Sequence, residues 1–158
     1  KGALSEEGYA AMISLTTKLN DAGPGIAAID GVHAMTDVTG FALLGHLWEM
    51  ARGSKLTAIV RAADVPVIPE ALDLAQKGFV TGASGRNWSS YGSHVILQEG
   101  MPAWQKNLLT DPQTSGGLLI ACAPETASDV LKTLDDYGFI NIATIGHLES
   151  GEAGIRVA

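Results

Sequence analysis

The chain has 158 residues, a formal net charge of −7, 46% hydrophobic residues and 17% charged residues. This composition is typical of a folded globular chain rather than a disordered one, and the length fits a single domain with its own core. The sequence contains no run of Lys and Arg, so neither nucleic acid nor an anionic membrane is an expected partner. Its longest apolar stretches are shorter than a membrane span.

The cysteine content indicates a cellular compartment. The single cysteine, Cys122, permits no internal disulfide, which fits a reducing cytoplasm. No signal peptide is recognisable at the N-terminus. The sequence begins with Lys1 rather than Met, and we expect it to be a piece of a longer protein.

The first predicted helix begins after Ser5, whose side chain can cap it, and extends to about Asn20. A set of residues at helical spacing is predicted to form its inner face: Tyr9, Met12, Ile13, Thr16 and Leu19. Asn20-Asp21 and Gly23-Pro24-Gly25 predict the end of this helix. A short helical piece, Ile26 to Ile29, is expected next.

The stretch His33 to Arg52 is expected to organise the fold. A short β-type run, Ala34 to Thr36, leads to Asp37 and then to a Thr39-Gly40 corner. From Phe41 to Ala51 the chain is almost continuously apolar, which predicts a helix that is buried nearly all round. A narrow polar stripe interrupts it at spacings of three: His46, Glu49 and Arg52.

Asp37 lies just outside the predicted N-terminus of this helix. Free N–H groups and the positive end of the helix dipole meet there. Asp37 and Thr39 would simply cap the helix in one interpretation. In the other, the Asp37 carboxylate holds Mg²⁺ against a phosphate bound at the helix start, near Thr39 and Gly40. These residues alone leave both interpretations open, although caps are far commoner.

The middle of the chain carries weaker signals. Gly53-Ser54 is expected to end the buried helix, Leu56 to Arg61 predicts a strand, and Pro69 to Lys77 predicts a short helix. Phe79 to Leu109 is predicted to be largely irregular, with only a short apolar run at Val95 to Leu97.

Within that region the Gly- and Ser-rich segment TGASGRNWSSYGS has the composition of a functional or mobile loop. Arg86 is its only charged residue, and a guanidinium among flexible backbone N–H groups can grip a phosphate through two hydrogen bonds. The plain alternative is a surface loop that Trp88 and Tyr91 pack against the core.

Two adjacent glycines precede a predicted strand in the last third of the chain. Asp111-Pro112 predicts a turn, and Gly116 and Gly117 open the strand Leu118 to Ala123. Glycines at this point allow close approach of another backbone or of a ligand. Close packing beneath the buried helix is the alternative explanation.

The C-terminal part predicts a helix between two strands. The helix begins at Pro124 and ends at Gly138, with apolar residues at helical spacing: Ala127, Val130, Leu131 and Leu134. Strands are predicted at Ile140 to Ile145 and, after a turn, at Ile155 to Val157. Strand–helix–strand from Leu118 to Ile145 implies a right-handed crossover. The expected fold is therefore α/β, with a mixed sheet and helices packed on it.

Several kinds of chemistry have no motif here. The histidines show no metal-ligand spacing with one another or with Cys122: His33, His46, His94 and His147. His46 is expected to be structural, and Cys122, inside LLIACA, to be buried and unreactive. The sequence has no P-loop, no G-x-G-x-x-G after a strand and no G-x-S-x-G. No complete catalytic set is therefore expected within this chain.

Three phrases, in this order, resemble one family: TDVTGFALLGH, GRNWSSYG and DPQTSGGLL. They are similar to the C-terminal domain of selenophosphate synthetase (selenide, water dikinase), within the wider aminoimidazole-ribonucleotide (AIR) synthetase-like superfamily. The resemblance covers essentially all 158 residues. DPQTSGG alone would fit the wider superfamily, but the combination points to the selenium enzyme.

The resemblance implies a role in an ATP-dependent enzyme. The family makes selenophosphate, AMP and phosphate from selenide, ATP and water. Its N-terminal domain carries the reactive Cys or selenocysteine, a catalytic Lys and most of the aspartates that bind Mg-ATP. That domain is absent from this sequence, so no catalytic residue is assigned here and the chain alone is expected to be inactive. Full-length members form homodimers, chiefly through the missing half.

The resemblance also assigns site residues. The family's TDVTG phrase supplies one metal-binding aspartate, which matches Asp37 and favours the Mg²⁺ interpretation over the cap. Thr39, Gly40 and Arg86 are the candidates for the phosphate side of a nucleotide. Cys122 does not match the family's reactive cysteine. Another ATP-dependent member of the superfamily, or a free-standing regulatory or interaction domain, remains an alternative.

Overall fold

The structure is a computed structural model, and it describes residues 4–158. Seven α-helices lie in this range: α1 (Glu6–Thr17), α2 (Gly23–Ala27), α3 (Ala42–Ser54), α4 (Pro69–Gln76), α5 (Gly82–Tyr91), α6 (Ala103–Leu109) and α7 (Ala127–Asp136). It also contains six strands: β1 (Val32–Asp37), β2 (Leu56–Val60), β3 (Val95–Ile96), β4 (Leu118–Cys122), β5 (Gly146–Ser150) and β6 (Gly154–Val157). No helix in the described range is long and apolar enough to cross a bilayer.

The strands form two sheets. β1 and β4 make an antiparallel pair, and the larger sheet has the strand order β3-β6-β2-β5. In the larger sheet β6 runs parallel to both β2 and β3, whereas β5 runs antiparallel to β2. The α/β class with a mixed sheet and packed helices is thus confirmed.

Helix α3 lies at the centre of the main core, as its composition predicts. Leu44, Leu47 and Ala51 follow helical spacing and are buried against the larger sheet, which contributes Val60 and Ile155. Complete burial of one such Leu or Ile side chain stabilises a fold by roughly 1.5–3 kcal/mol. The helix continues through Gly53-Ser54 and ends at Lys55, which adopts the left-handed conformation with φ 58°.

The predicted inner face of α1 is wrong. Ser5 does cap the helix, since its Oγ accepts from the N–H of Gly8 at 3.0 Å. The apolar residues assigned to the core nevertheless face solvent, with exposed fractions of 56% for Tyr9, 40% for Met12 and 43% for Ile13, and 75% for Leu19 beyond the helix end. Helical periodicity identifies an apolar stripe, but it does not identify what the stripe packs against.

The Gly- and Ser-rich segment is a helix, not a loop. The side chain of Thr81 caps α5 by accepting from the N–H of Ser84 at 3.2 Å. Its buried face consists of residues three and four apart: Ser84, Asn87 and Tyr91. The close approach of α5 to α3 depends on Gly45 of α3, because a Cβ there would lie 2.8 Å from the Tyr91 ring. Within α5, Gly85 has no heavy atom within 4 Å of its Cβ position, so this glycine is not required by packing.

The predicted strand Ile140 to Ile145 is also wrong. Ile140 is 89% exposed, and the strand in this region is β5, which begins only at Gly146. Because β4 and β5 belong to different sheets, the chain between them is not a crossover within one sheet. The other predicted strands are confirmed with small shifts of their ends.

Candidate functional site

The segment between β1 and α3 carries the predicted site residues. Asp37 is the last residue of β1 and pairs with Leu118. Immediately after it, the N–H of Val38 donates to the carbonyl of Gly117 at 2.9 Å. A Cβ on Gly116 would lie only 2.0 Å from the carbonyl oxygen of Val38, so this position accepts no side chain without a backbone shift. The predicted close backbone approach therefore exists at Gly116, whereas the Cβ position of Gly117 has no heavy atom within 4 Å.

Two further hydrogen bonds fix the Thr39-Gly40 corner from different parts of the chain. The N–H of Gln113 donates to the carbonyl of Thr39 at 3.0 Å. The Asn87 side chain on α5 donates through Nδ2 to the carbonyl of Gly40 at 3.0 Å, and equally to the carbonyl of Thr110. Asn87 is buried, so these bonds are shielded from competing water.

Tyr91 holds the next residue of the loop. Its hydroxyl donates to the carbonyl of Phe41 at 2.8 Å. Burial raises the pKa of Tyr91 to about 12, against a smaller opposing effect of the Gly45 N–H. The phenol is therefore neutral at physiological pH and remains a donor. Three consecutive carbonyls of the loop are thus held by three separate donors.

The Asp37 side chain does not cap α3. The N-cap residue is Phe41, and no side chain caps this helix. The Asp37 carboxylate is exposed and makes no hydrogen bond or ion pair with any residue in 4–158. The cap interpretation of Asp37 is therefore wrong. The structure shows a solvent-facing carboxylate at the end of a strand. The loop next to it is restrained by two backbone–backbone hydrogen bonds and by two hydrogen bonds from side chains.

The Thr39 hydroxyl is part of a short polar chain. Thr39 Oγ1 lies 3.2 Å from Nε2 of His46, and Nδ1 of the same ring lies 3.5 Å from a carboxylate oxygen of Glu49. Either the Thr39 hydroxyl or the Nε2–H of His46 can be the donor in this contact, depending on the tautomer of the ring. His46 is buried, at 8% exposure.

Arg86 lies on α5, one residue before Asn87, and is exposed. Its Nη1 lies 3.5 Å from where a Cβ on Gly82 would be, so the side chain folds back over the first turn of α5. Asn87 brings this helix against Gly40, but the guanidinium makes no hydrogen bond or ion pair with Asp37, Thr39 or Gly40. The structure therefore places Arg86 on the neighbouring helix without joining it to the loop.

An open groove of about 430 Å³ lies beside the loop, between α3 and α5. Phe41 is exposed at its entrance, and Trp48 stacks on His94 in its wall with ring centroids 4.0 Å apart. The groove is lined by one acidic side chain, Glu49, and one basic side chain, Arg52, so their charges offset each other. The groove shows no concentration of positive charge for a phosphate.

The described residues contain no group of three or more His, Cys, Asp or Glu side chains that could hold a metal ion. A lone carboxylate does not suit Zn²⁺, which takes several protein ligands. It does suit Mg²⁺, which commonly binds through one or two carboxylates together with phosphate oxygens and water. Cys122 is only partly buried, and burial, followed by the nearby Glu125 carboxylate, raises the pKa of its thiol.

Comparison with known proteins places the chain in a family. The family described as AIR synthase related protein, C-terminal domain, matches residues 3–157. Selenide, water dikinase of Paraburkholderia xenovorans is 53% identical over 157 residues, which are 99% of this chain and 44% of that protein. Selenide, water dikinase of Burkholderia pseudomallei is 54% identical over 158 residues, all of this chain and 45% of that protein. The chain thus spans less than half the length of these relatives.

A solved structure shares the fold. The crystal structure of E. coli HypE, a hydrogenase maturation protein, superposes with a TM-score of 0.61 over 87% of this chain and 35% of that one. The two sequences are 19% identical, so this likeness concerns the fold alone.

Sequence reasoning missed the residues that hold the loop. The sequence predicts a loop over Asn87 and Tyr91, with Tyr91 packed against the core in one interpretation, whereas both lie on one face of a helix. Treating Ser84, Asn87 and Tyr91 as one face of a helix would have found them, since residues three and four apart align.

Proposed function

The chain belongs to the family described as AIR synthase related protein, C-terminal domain, and we propose that it is the C-terminal domain of a selenide, water dikinase. The whole enzyme would make selenophosphate from selenide, ATP and water and release AMP and phosphate. The observation that carries the proposal is the identity of 51–54% to several proteins of that name, over 99% or more of this chain. Residues 1–158 would form one domain of the enzyme.

Asp37 would be the metal ligand that this domain contributes. Its carboxylate is exposed, free of protein partners within the described range, and placed beside a restrained loop. When bound, Mg²⁺ would neutralise charge on phosphate oxygens, which is a large part of what phosphoryl transfer requires. One carboxylate is sufficient for such a ligand set if the other half of the enzyme supplies the remaining carboxylates.

Thr39, Gly40 and Arg86 would form the phosphate side of the site. Gly40 is exposed and lies before the uncapped start of α3, where backbone N–H groups favour anions. The Thr39 hydroxyl lies 3.2 Å from Nε2 of His46, which would orient it beside Gly40. Arg86 would have to swing away from Gly82 to reach a phosphate.

The rest of the enzyme would supply what this chain lacks. No residue here is proposed as catalytic, and most of the ATP-binding groups would lie in the N-terminal half, which is the proposed partner together with selenide and ATP. We further propose a cytoplasmic homodimeric enzyme that binds neither nucleic acid nor membrane.

The enzymatic activity of a chimeric protein tests this proposal most simply. The chain would replace the matched region of the Paraburkholderia xenovorans enzyme, and AMP formation from ATP would be measured with and without selenide. We expect selenide-dependent AMP formation by the chimera and none by the isolated chain. If a folded chimera consumed ATP at the same rate with and without selenide, this would instead support another ATP-dependent activity. AMP formation by the isolated chain would contradict the two-domain account.

A further inference from the structure

Helix α1 carries an apolar stripe that no described residue covers. Tyr9, Met12 and Ile13 lie three and four positions apart and are 56%, 40% and 43% exposed. The buried side of the helix is small, with Gly8 as its only buried residue. Exposed apolar side chains gathered on one helix face are typical of interaction surfaces, whereas single ones are common on any protein.

Contacts near its two ends join α1 to the rest of the domain. Near its start, a Cβ on Gly8 would meet Glu70 of α4 at 3.3 Å. Just past its end, Lys18 Nζ donates to the carbonyl of Gly138 at 2.6 Å and lies 4.3 Å from the centre of the Phe139 ring. These contacts attach α1 to the domain near its two ends, and its apolar stripe is exposed.

The segment just after α1 reaches the turn beside the candidate site. The Asn20 side chain donates through Nδ2 to the carbonyl of Gly116 at 2.9 Å. Gly116 is the residue that contacts Val38, next to Asp37. The segment that follows α1 is therefore bonded to the turn beside the loop that carries the lone carboxylate.

We propose that the α1 face, Tyr9, Met12 and Ile13, is the docking surface for the other half of the same enzyme polypeptide. This inference rests on the proposed function. Two facts favour this occupant over a second copy of the chain. The relatives have 55–56% of their length outside the matched region, since the match covers 44–45% of each. The site at Asp37 has one carboxylate and needs ligands from elsewhere, and the segment that follows α1 is bonded to the turn next to that site.

Hydrogen exchange in the chimera described above tests the docking. The amides of residues 9–16 should exchange about tenfold or more slowly in the chimera than in the isolated chain, because docking stabilises a helix that has few contacts of its own. The double variant Tyr9→Lys/Ile13→Lys should abolish this extra protection. Ile96→Lys is the matched control, since Ile96 is 65% exposed on β3, and it should leave the protection intact.

Three results would overturn the docking proposal. One is equal exchange of residues 9–16 in a folded chimera and in the isolated chain. Another is a loss of melting temperature in the isolated double variant, because that would mean the stripe is already buried within the chain. The third is an isolated chain that sediments as a dimer and becomes a monomer in the double variant, since the occupant would then be a second copy. Protection of α1 in a chimera without selenide-dependent activity would refute the proposed function but not the docking.

Discussion

Gly116 and Gly117 are adjacent, yet the structure predicts opposite responses to the same substitution. In Gly116→Ala the new methyl group would lie 2.0 Å from the Val38 carbonyl oxygen and 2.5 Å from Oε1 of Gln113. The Gln113 side chain can move, but Val38 belongs to the backbone that follows β1. Relief of the clash requires this backbone to shift by about 1 Å, since carbon–oxygen contacts are normally longer than about 3 Å.

Such a shift strains the hydrogen bonds that hold the loop. The Val38 N–H bond to Gly117, the Gln113 N–H bond to Thr39 and the Asn20 bond to Gly116 all lie within two residues of the clash. Overpacking costs roughly 1–3 kcal/mol, and each weakened hydrogen bond adds about 0.5–1.5 kcal/mol. We expect Gly116→Ala to lower the free energy of unfolding by roughly 2–5 kcal/mol. Gly117→Ala should change it by less than about 0.5 kcal/mol, because no atom lies near the new methyl group.

Urea unfolding of the two variants measures this difference directly. A loss of a few kcal/mol corresponds to a fall in melting temperature of roughly 5–15 °C for a chain of this length. Equal stability of Gly116→Ala and the wild type would refute the close-approach argument. Equal destabilisation by both substitutions would show that glycine flexibility, rather than the contact with Val38, matters at this turn.

The remaining predictions concern the supports of the loop and the thiol. The folded-state pKa of Tyr91 is raised to about 12 from 10.0, so the protonated phenol contributes roughly 2–3 kcal/mol of stability below pH 10, which is lost as the pH rises from 10 to 12. Urea unfolding at several pH values should show this loss in the wild type and not in Tyr91→Phe. The same pH profile in both proteins would contradict the buried phenol. Asn87→Ala should lower the free energy of unfolding by about 1–3 kcal/mol in the same assay, because the carbonyl of the fully buried Thr110 loses its donor. A loss below about 0.5 kcal/mol would show that the two Asn87 hydrogen bonds are not needed for stability. Cys122 should react with iodoacetamide at pH 8 more slowly than free cysteine, because the pKa of its thiol is raised. Glu125→Gln should speed the reaction. A reaction faster than that of free cysteine would contradict the raised pKa.

The local sequence pattern predicts where most helices and strands lie, but it does not predict which elements they pack against. The apolar run of α3 predicts a buried helix because only the interior can cover such a surface, and the structure confirms it. The stripe on α1 has the same periodicity, but its direction depends on partners outside the pattern. Periodicity therefore predicts the face of a helix, while tertiary contacts decide whether this face is buried.

Composition misled the prediction at α5. Gly and Ser disfavour isolated helices, so the segment GASGRNWSSY was predicted to be irregular. In the folded chain, Ser84, Asn87 and Tyr91 make hydrogen bonds to Thr110, Gly40 and Phe41, and these contacts outweigh the weak propensity. None of these partners is near α5 in sequence, so no local rule could have revealed them.

The candidate site was predictable only in part, because its ligand candidate is visible in the local sequence and its supporting contacts are not. Asp37 and the Thr39-Gly40 corner stand out locally, because a carboxylate precedes the start of a buried helix. The hydrogen bonds that restrain this corner come from residues 87, 91, 113 and 117, which only the fold brings together. The sequence thus indicated the ligand candidate and missed its support.

Dependence of the chimera's activity on Mg²⁺ concentration tests the role of Asp37 most directly. Asp37→Asn preserves the shape of the side chain and removes its charge. Because the carboxylate is exposed and has no partner within residues 4–158, stability should change by less than about 0.5 kcal/mol. Asp30→Asn is the matched control, since Asp30 is also exposed and precedes the opposite end of β1.

If Asp37 binds Mg²⁺, Asp37→Asn should lose most of the selenide-dependent AMP formation at ordinary Mg²⁺, and raised Mg²⁺ should restore part of it. Asp30→Asn should follow the wild-type curve. A wild-type Mg²⁺ dependence in Asp37→Asn would contradict the proposal that this domain contributes a metal ligand.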